Sequence, residues 1–99
     1  MKVKMQSVHF DADGKLLSYI QKKVDKLATF YDRITGSEVI LKLDNDDQNQ
    51  NKIVEFIFQI PGEKLFVKER SESFESAADM AIERLKRQLK KYKQKKAGR

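Results

Sequence analysis

The sequence predicts an α+β domain of order βαβββα, in which a four-stranded mixed sheet carries two helices packed on one face. Three observations predict it. Two long segments repeat apolar residues at helical spacing, and four shorter ones alternate apolar with polar residues. A Pro61-Gly62 pair then separates the last two alternating segments. A strand, a helix and a second strand in succession form a parallel crossover, and the remaining strands return as antiparallel hairpins.

Each element has its own justification. In residues 2–10, Val3 and Met5 lie on one face against Lys2, Lys4 and Gln6, which reads as a strand. Asp11-Ala12-Asp13-Gly14 breaks the pattern, and Asp13 suits a helix N-cap because its carboxylate can accept from first-turn amides. Leu16, Leu17, Ile20, Val24, Leu27, Ala28 and Tyr31 then recur at helical spacing, giving an amphipathic helix of roughly five turns. Thr35-Gly36-Ser37 closes it. Val39, Leu41 and Leu43 alternate with Glu38, Lys42 and Asp44 in a second strand, and the wholly polar run 44–51 is a loop. A third strand, 52–60, has Val54, Phe56, Phe58 and Ile60 on one face and Ile53 and Ile57 on the other. Apolar residues on both faces place it inside the sheet. Ile60-Pro61-Gly62-Glu63 sets Pro and Gly at the centre of a type II turn. Leu65 and Val67 against Lys64, Phe66 and Lys68 make the fourth strand. Ser73 caps a second helix, with Glu75 favourably placed in its first turn. Its stripe is Phe74, Ala78, Ala81, Ile82, Leu85, Leu89 and Tyr92, continuing to about Lys95. One stripe per helix places both helices on the same face of the sheet. Residues 1–95 are read as a single domain and 96–99 as a flexible basic tail.

Composition bounds the function. Ninety-nine residues support one core and not two. With 39% apolar and 36% charged residues and few Pro or Gly, the chain is built to fold. It has no cysteine, which excludes disulfides, zinc-thiolate sites and cysteine nucleophiles, and suits a reducing cytoplasm. Met-Lys-Val-Lys-Met runs straight into the first strand with no apolar signal stretch, and no segment has the length of a membrane span. A cytoplasmic protein is expected.

Charge is distributed unevenly. Residues 1–83 carry 12 basic and 15 acidic residues, and residues 84–99 carry nine basic residues and no acid, so −3 and +9 make the net +6. Such asymmetry points to a polyanionic partner, a nucleic acid or an anionic membrane surface. A solvated helix end is the plainer alternative, although ordinary surfaces mix their signs.

Catalytic constellations are absent. His9 is the sole histidine, so common triads and zinc sites cannot be assembled. The four glycines are isolated and build no phosphate loop. Asp44, Asp46, Gln48 and Glu55 fall at EF-hand spacing, but Asn49 stands where that loop needs Gly, and the flanks read as strands. A carboxylate or Ser/Lys enzyme stays formally open without residues to support it. The expectation is a non-enzyme with no metal, cofactor or small-molecule substrate.

The helices carry the stronger signal. Projected at about 100° per residue, Lys15, Lys22, Lys26 and Arg33 form one row opposite the first helix's apolar stripe, with Lys23 toward a flank. On the second helix, Lys86, Lys90 and Lys93 take one flank of the stripe, Arg84, Lys91 and Lys95 the other, and Arg87 points outward. Side by side, the two helices present one cationic surface. Cations spread over a rigid face suit phosphates on several strands of a folded RNA. Outward aromatics are few, Tyr19 and Phe30, so phosphate and shape recognition is favoured over base stacking. Membrane insertion is disfavoured because the core uses both apolar stripes.

These residues also resemble a family. Leu16 to Lys23, Tyr31-Asp32-Arg33-Ile34, Pro61-Gly62, Phe74 to Asp79 and, most specifically, Arg84 to Lys91 are similar to the ribosome hibernation promoting factors over about residues 1–95. That family includes the ribosome-associated inhibitor A proteins and members once labelled sigma factor modulation proteins. The resemblance implies a bacterial fold like a double-stranded RNA-binding domain with an added N-terminal strand. It implies binding of the small ribosomal subunit and its rRNA between head and body, where messenger and transfer RNA would lie, so that translation stops, often in stationary phase or stress. Lys23 and Lys26 match the basic first-helix positions; Arg84, Arg87 and Lys91 match those of the second helix, with Lys86 and Lys90 beside them. With Lys22 from the outward row, these eight are the candidate rRNA-binding residues. Ser73-Phe74 departs from the Asp-Met of many members. The resemblance is to a short form without a C-terminal dimerisation domain, expected to be monomeric off the ribosome. A general module for structured RNA remains the alternative.

Overall fold

Lys4–Val8 (β1), Gly14–Phe30 (α1), Gly36–Leu43 (β2), Lys52–Ile60 (β3), Glu63–Ser71 (β4) and Phe74–Ala97 (α2) follow one another in the order read from the sequence. The computed structural model describes residues 2–44 and 51–97. Of the polar loop expected at 44–51, residues 45–50 lie outside the described residues, Asp46 and Gln48 of the calcium-like spacing among them, while the Asp44 amide donates to the Asn51 carbonyl at 2.9 Å and Glu55 lies in β3. The strands stand in chain order across the sheet. β1 runs parallel to β2, and the β2–β3 and β3–β4 pairs are antiparallel.

Strand alternation decides which face is covered. Val39 and Leu41 of β2, Val54, Phe56 and Phe58 of β3, and Leu65 and Val67 of β4 all turn to one side. There they join Leu16, Ile20, Val24 and Leu27 of α1 and Ala78, Ala81, Ile82, Leu85 and Leu89 of α2 in a single buried cluster. Both helices therefore pack on the same face. Full burial of each large apolar side chain is worth about 1.5–3 kcal/mol, so this shared layer dominates the fold's stability. Ala77, beside the predicted stripe, is also fully buried.

Local signals explain the boundaries. The Asp13 carboxylate accepts from the Leu16 amide at 2.8 Å, and the Ser73 hydroxyl accepts from the Ser76 amide at 3.0 Å, each satisfying a first-turn donor. Gly62 has φ +86°, as a type II turn requires at its second central residue.

Several boundaries differ from expectation. β2 begins at Gly36, so Gly36 and Ser37 of the expected helix closure lie in a strand, and β4 runs on to Ser71. β1 spans five residues rather than nine, and just beyond it His9 adopts φ 72° and turns the chain away. α1 ends at Phe30 because Tyr31 takes extended angles (φ −139°, ψ 102°), which carry its ring into the core edge-on to Tyr92. Arg33 therefore lies past the helix and outside the outward row. α2 continues to Ala97, beyond the expected end near Lys95, and residues 98 and 99 of the expected tail lie outside the described residues.

Candidate nucleic-acid interface

The outer surface of the helical layer collects the predicted cations. Lys15, Lys22 and Lys26 are exposed on α1, and Arg84, Lys86, Arg87, Lys90 and Lys91 on α2, while Lys23 is half-buried at the seam between the helices. A groove along that seam is lined by Lys23 and Lys26 from one helix and by Asp79, Glu83 and Lys86 from the other, over a floor of Leu27 and Ile82. A second hollow holds Arg84, Arg87, Lys90 and Lys91 with Gln88 and Gln94. A third, at the start of α1, holds Lys15 and Lys22 beside Ser18 and Tyr19.

The eight candidate residues are not equivalent. Lys23 approaches the Asp79 carboxylate at 3.3 Å and sits over the Tyr19 ring, 5.2 Å from its centre. The Tyr19 hydroxyl lies 2.8 and 2.9 Å from the two Asp79 oxygens and donates to that carboxylate. The hydrogen bond to Asp79 raises the pKa of Tyr19, and that from Lys23 to Asp79 raises the pKa of Lys23. Arg84 turns back onto the sheet, donating to Glu69 at 2.6 Å and to the Lys68 carbonyl at 3.3 Å. Lys86 stands 3.9 Å from Glu83, one turn earlier. Lys22, Lys26, Arg87, Lys90 and Lys91 form no ion pair among the described residues, so no neighbouring carboxylate there offsets their charge.

The partially neutralised positions were not visible in the linear sequence. Asp79 and Glu83 continue an i, i+4 acidic row from Glu75, and this row meets the α1 lysines only once the helices are packed together. Glu69 flanks inward-facing Val67 on β4, and that strand position was the only hint that it could meet an α2 cation.

The face is held rigidly. The Tyr92 hydroxyl donates to the Pro61 carbonyl at 2.7 Å, tying the second half of α2 to the β3–β4 turn. Lys93 lies over the Phe30 and Tyr31 rings, 5.0 and 5.8 Å from their centres, and links α2 to the end of α1. Burial raises the pKa of Tyr31, with the neighbouring Tyr92 adding to the shift. Between these anchors Arg87, Lys90 and Lys91 project from a fixed helix, an arrangement suited to several phosphates at once. Among the described residues no group of three His, Cys, Asp or Glu could hold a metal ion, and no helix is long and apolar enough to cross a membrane.

Comparison with known proteins bears on the partner. Residues 3–97 match the family described as sigma 54 modulation protein / S30EA ribosomal protein. A Pseudomonas putida protein named ribosome hibernation promoting factor is 32% identical over 95 residues, covering 96% of this chain and 89% of that one. An Azotobacter vinelandii protein of the same name is 27% identical over 99 residues, covering 100% of this chain and 89% of its own. Two solved structures share the fold at 24% identity. A ribosomal subunit interface protein from Coxiella burnetii has a TM-score of 0.83, with 94% of this chain and 98% of that one covered. The N-terminal domain of Thermus thermophilus Protein Y has 0.78, with 93% and 99% covered.

Proposed function

The chain belongs to the sigma 54 modulation protein / S30EA ribosomal protein family, and on that premise we propose that it silences ribosomes by seating its helical face on the small subunit. The observation that carries this reading is the set of cations Lys22, Lys26, Arg87, Lys90 and Lys91, which form no ion pair among the described residues and project from the outer surface of the helical layer. In the bound state they neutralise rRNA phosphates of the decoding channel between head and body. Lys23 and Lys86 sit in the seam beside them, and Arg84 borders the Arg87 hollow while bracing α2 against β4. Occupying that channel excludes messenger and transfer RNA, so inhibition needs no catalytic group. The protein works in the cytoplasm, where ribosomes are, and as a monomer in its free state.

Sedimentation of purified protein with small subunits tests this. Binding should weaken steeply with salt, each phosphate contact contributing about −0.7 to −0.9 to the slope of log K against log salt. Added messenger and transfer RNA should compete it off, and a translation reaction should stop at about one copy per ribosome. Binding indifferent to salt contradicts the phosphate contacts. Inhibition far below one copy per ribosome contradicts occupancy, and equal affinity for unrelated folded RNA favours a general RNA-binding module.

A further inference from the structure

The sheet has a second face, opposite the helices. Outward-facing positions there include Ile40, Ile53, Glu55 and Ile57 of the central strands and Lys64, Phe66 and Lys68 of edge strand β4. Phe66 is 54% exposed, the most exposed large apolar side chain among the described residues. It pairs across the ladder with half-buried Ile57 on the same face. Lys64 and Lys68 point the same way about 7 Å along the strand on either side of it.

Charge on this face is unevenly satisfied. Glu55, buried on the outer face, is paired with Lys42 at 3.0 Å, and Arg70 is paired with Asp44 at 2.8 Å. Lys64 and Lys68 form no ion pair among the described residues. The result is an exposed aromatic ring between two lysines outside any ion pair among the described residues, Lys68 standing across the ladder from Glu55, whose carboxylate is engaged by Lys42. A solvent-facing lysine on an edge strand is common protection against strand pairing, but protection does not require a phenylalanine between two of them. A symmetric dimer through this face would bring those cations together and is disfavoured by charge.

We propose that Phe66, with Lys64 and Lys68, is a second contact for RNA on the far side of the domain, stacking one unpaired base while the lysines hold the adjoining phosphates. Stacking tolerates any base because each presents a π face, and flanking cations fix the backbone. The domain then binds RNA on both faces. The choice of RNA over other anions rests on the proposed function, but the contact itself is separately testable.

The chain has no tryptophan, so Phe66→Trp makes a sole reporter at the site. Titrate it with a single-stranded oligouridylate of about ten nucleotides, within the range such surfaces occupy. Emission should be quenched by the single strand and not by a blunt duplex of the same length. Quenching should persist when Arg87→Glu and Lys91→Glu disable the helical face. Phe66→Ala and Phe66→Leu should each weaken oligouridylate binding about five- to 150-fold with an unchanged melting temperature. Absence of quenching overturns the proposal. So does full binding by Phe66→Leu, which keeps apolar bulk without a ring, or loss of self-association as the main effect of Phe66→Ala. If wild type fails to sediment with small subunits, the proposed function fails, while the quenching still decides this inference.

Discussion

At the scale of single residues, Arg84 and Arg87 look alike in sequence but have different roles. Arg84 is 46% exposed but bonded to Glu69, whose side chain is only 15% exposed. Arg84→Ala strands that carboxylate and should cost about 1–2 kcal/mol, below the 3–5 kcal/mol of a fully buried pair. Arg87→Ala should leave stability within about 0.5 kcal/mol and reduce the salt slope of ribosome binding by about one contact. Thermal melts together with sedimentation at several salt concentrations separate the two; equal binding losses with equal melts would contradict the assignment. Asp79 is the complementary case, an acid in the cationic seam. Asp79→Asn removes an ion pair exposed on both sides, which costs at most about 1 kcal/mol, and frees Lys23. RNA binding should tighten and its salt slope steepen by about 0.7 to 0.9. Weaker binding would instead mean that Asp79 holds Lys23 in its binding position. Sequence could not anticipate these differences, because 60 residues separate Tyr19 from Asp79 and only the packing of α1 on α2 joins them.

At the scale of elements, much of the fold was legible because local and tertiary requirements agree. Alternation marked β2, β3 and β4, and apolar residues on both faces of β3 marked its interior place, which the strand order bears out. The misread boundaries arose where one residue serves two patterns. Tyr31 continues the helical stripe of α1, so the sequence extends the helix through it. In the fold the same ring reaches the core from extended backbone instead. Ala77 was overlooked because alanine suits a helix at any angle around its axis, and its burial depends on how closely α2 meets the sheet. The stripe itself is firm. Leu85 is fully buried between α2 and the sheet, and Leu85→Ala should cost about 2–5 kcal/mol by deleting packed volume. A chemical denaturation curve checks this, and a loss under about 1 kcal/mol would mean that α2 is not docked as described.

For the whole molecule, sequence places the charge and the fold organises it. The body carries −3 and the segment from Arg84 carries +9, so a polyanionic partner is the expectation from charge alone. Which cations remain available was not legible there, because partners such as Glu69 and Asp79 arrive from elsewhere in the chain. The resulting division is physical: one helical layer supplies both the apolar stripes that build the core and the opposite surface proposed to meet RNA, so binding and stability should be separable by mutation. The triple variant Lys26→Glu, Arg87→Glu, Lys91→Glu changes only exposed positions that lack ion pairs among the described residues. Sedimentation with small subunits, alongside a thermal melt of the same sample, tests the central claim most directly. The account predicts a melt within about 0.5 kcal/mol per substitution of wild type and an affinity lower by orders of magnitude, with three cations removed and three anions set against phosphates. A variant that melts and sediments like wild type would show that the helical face is not where the ribosome is bound.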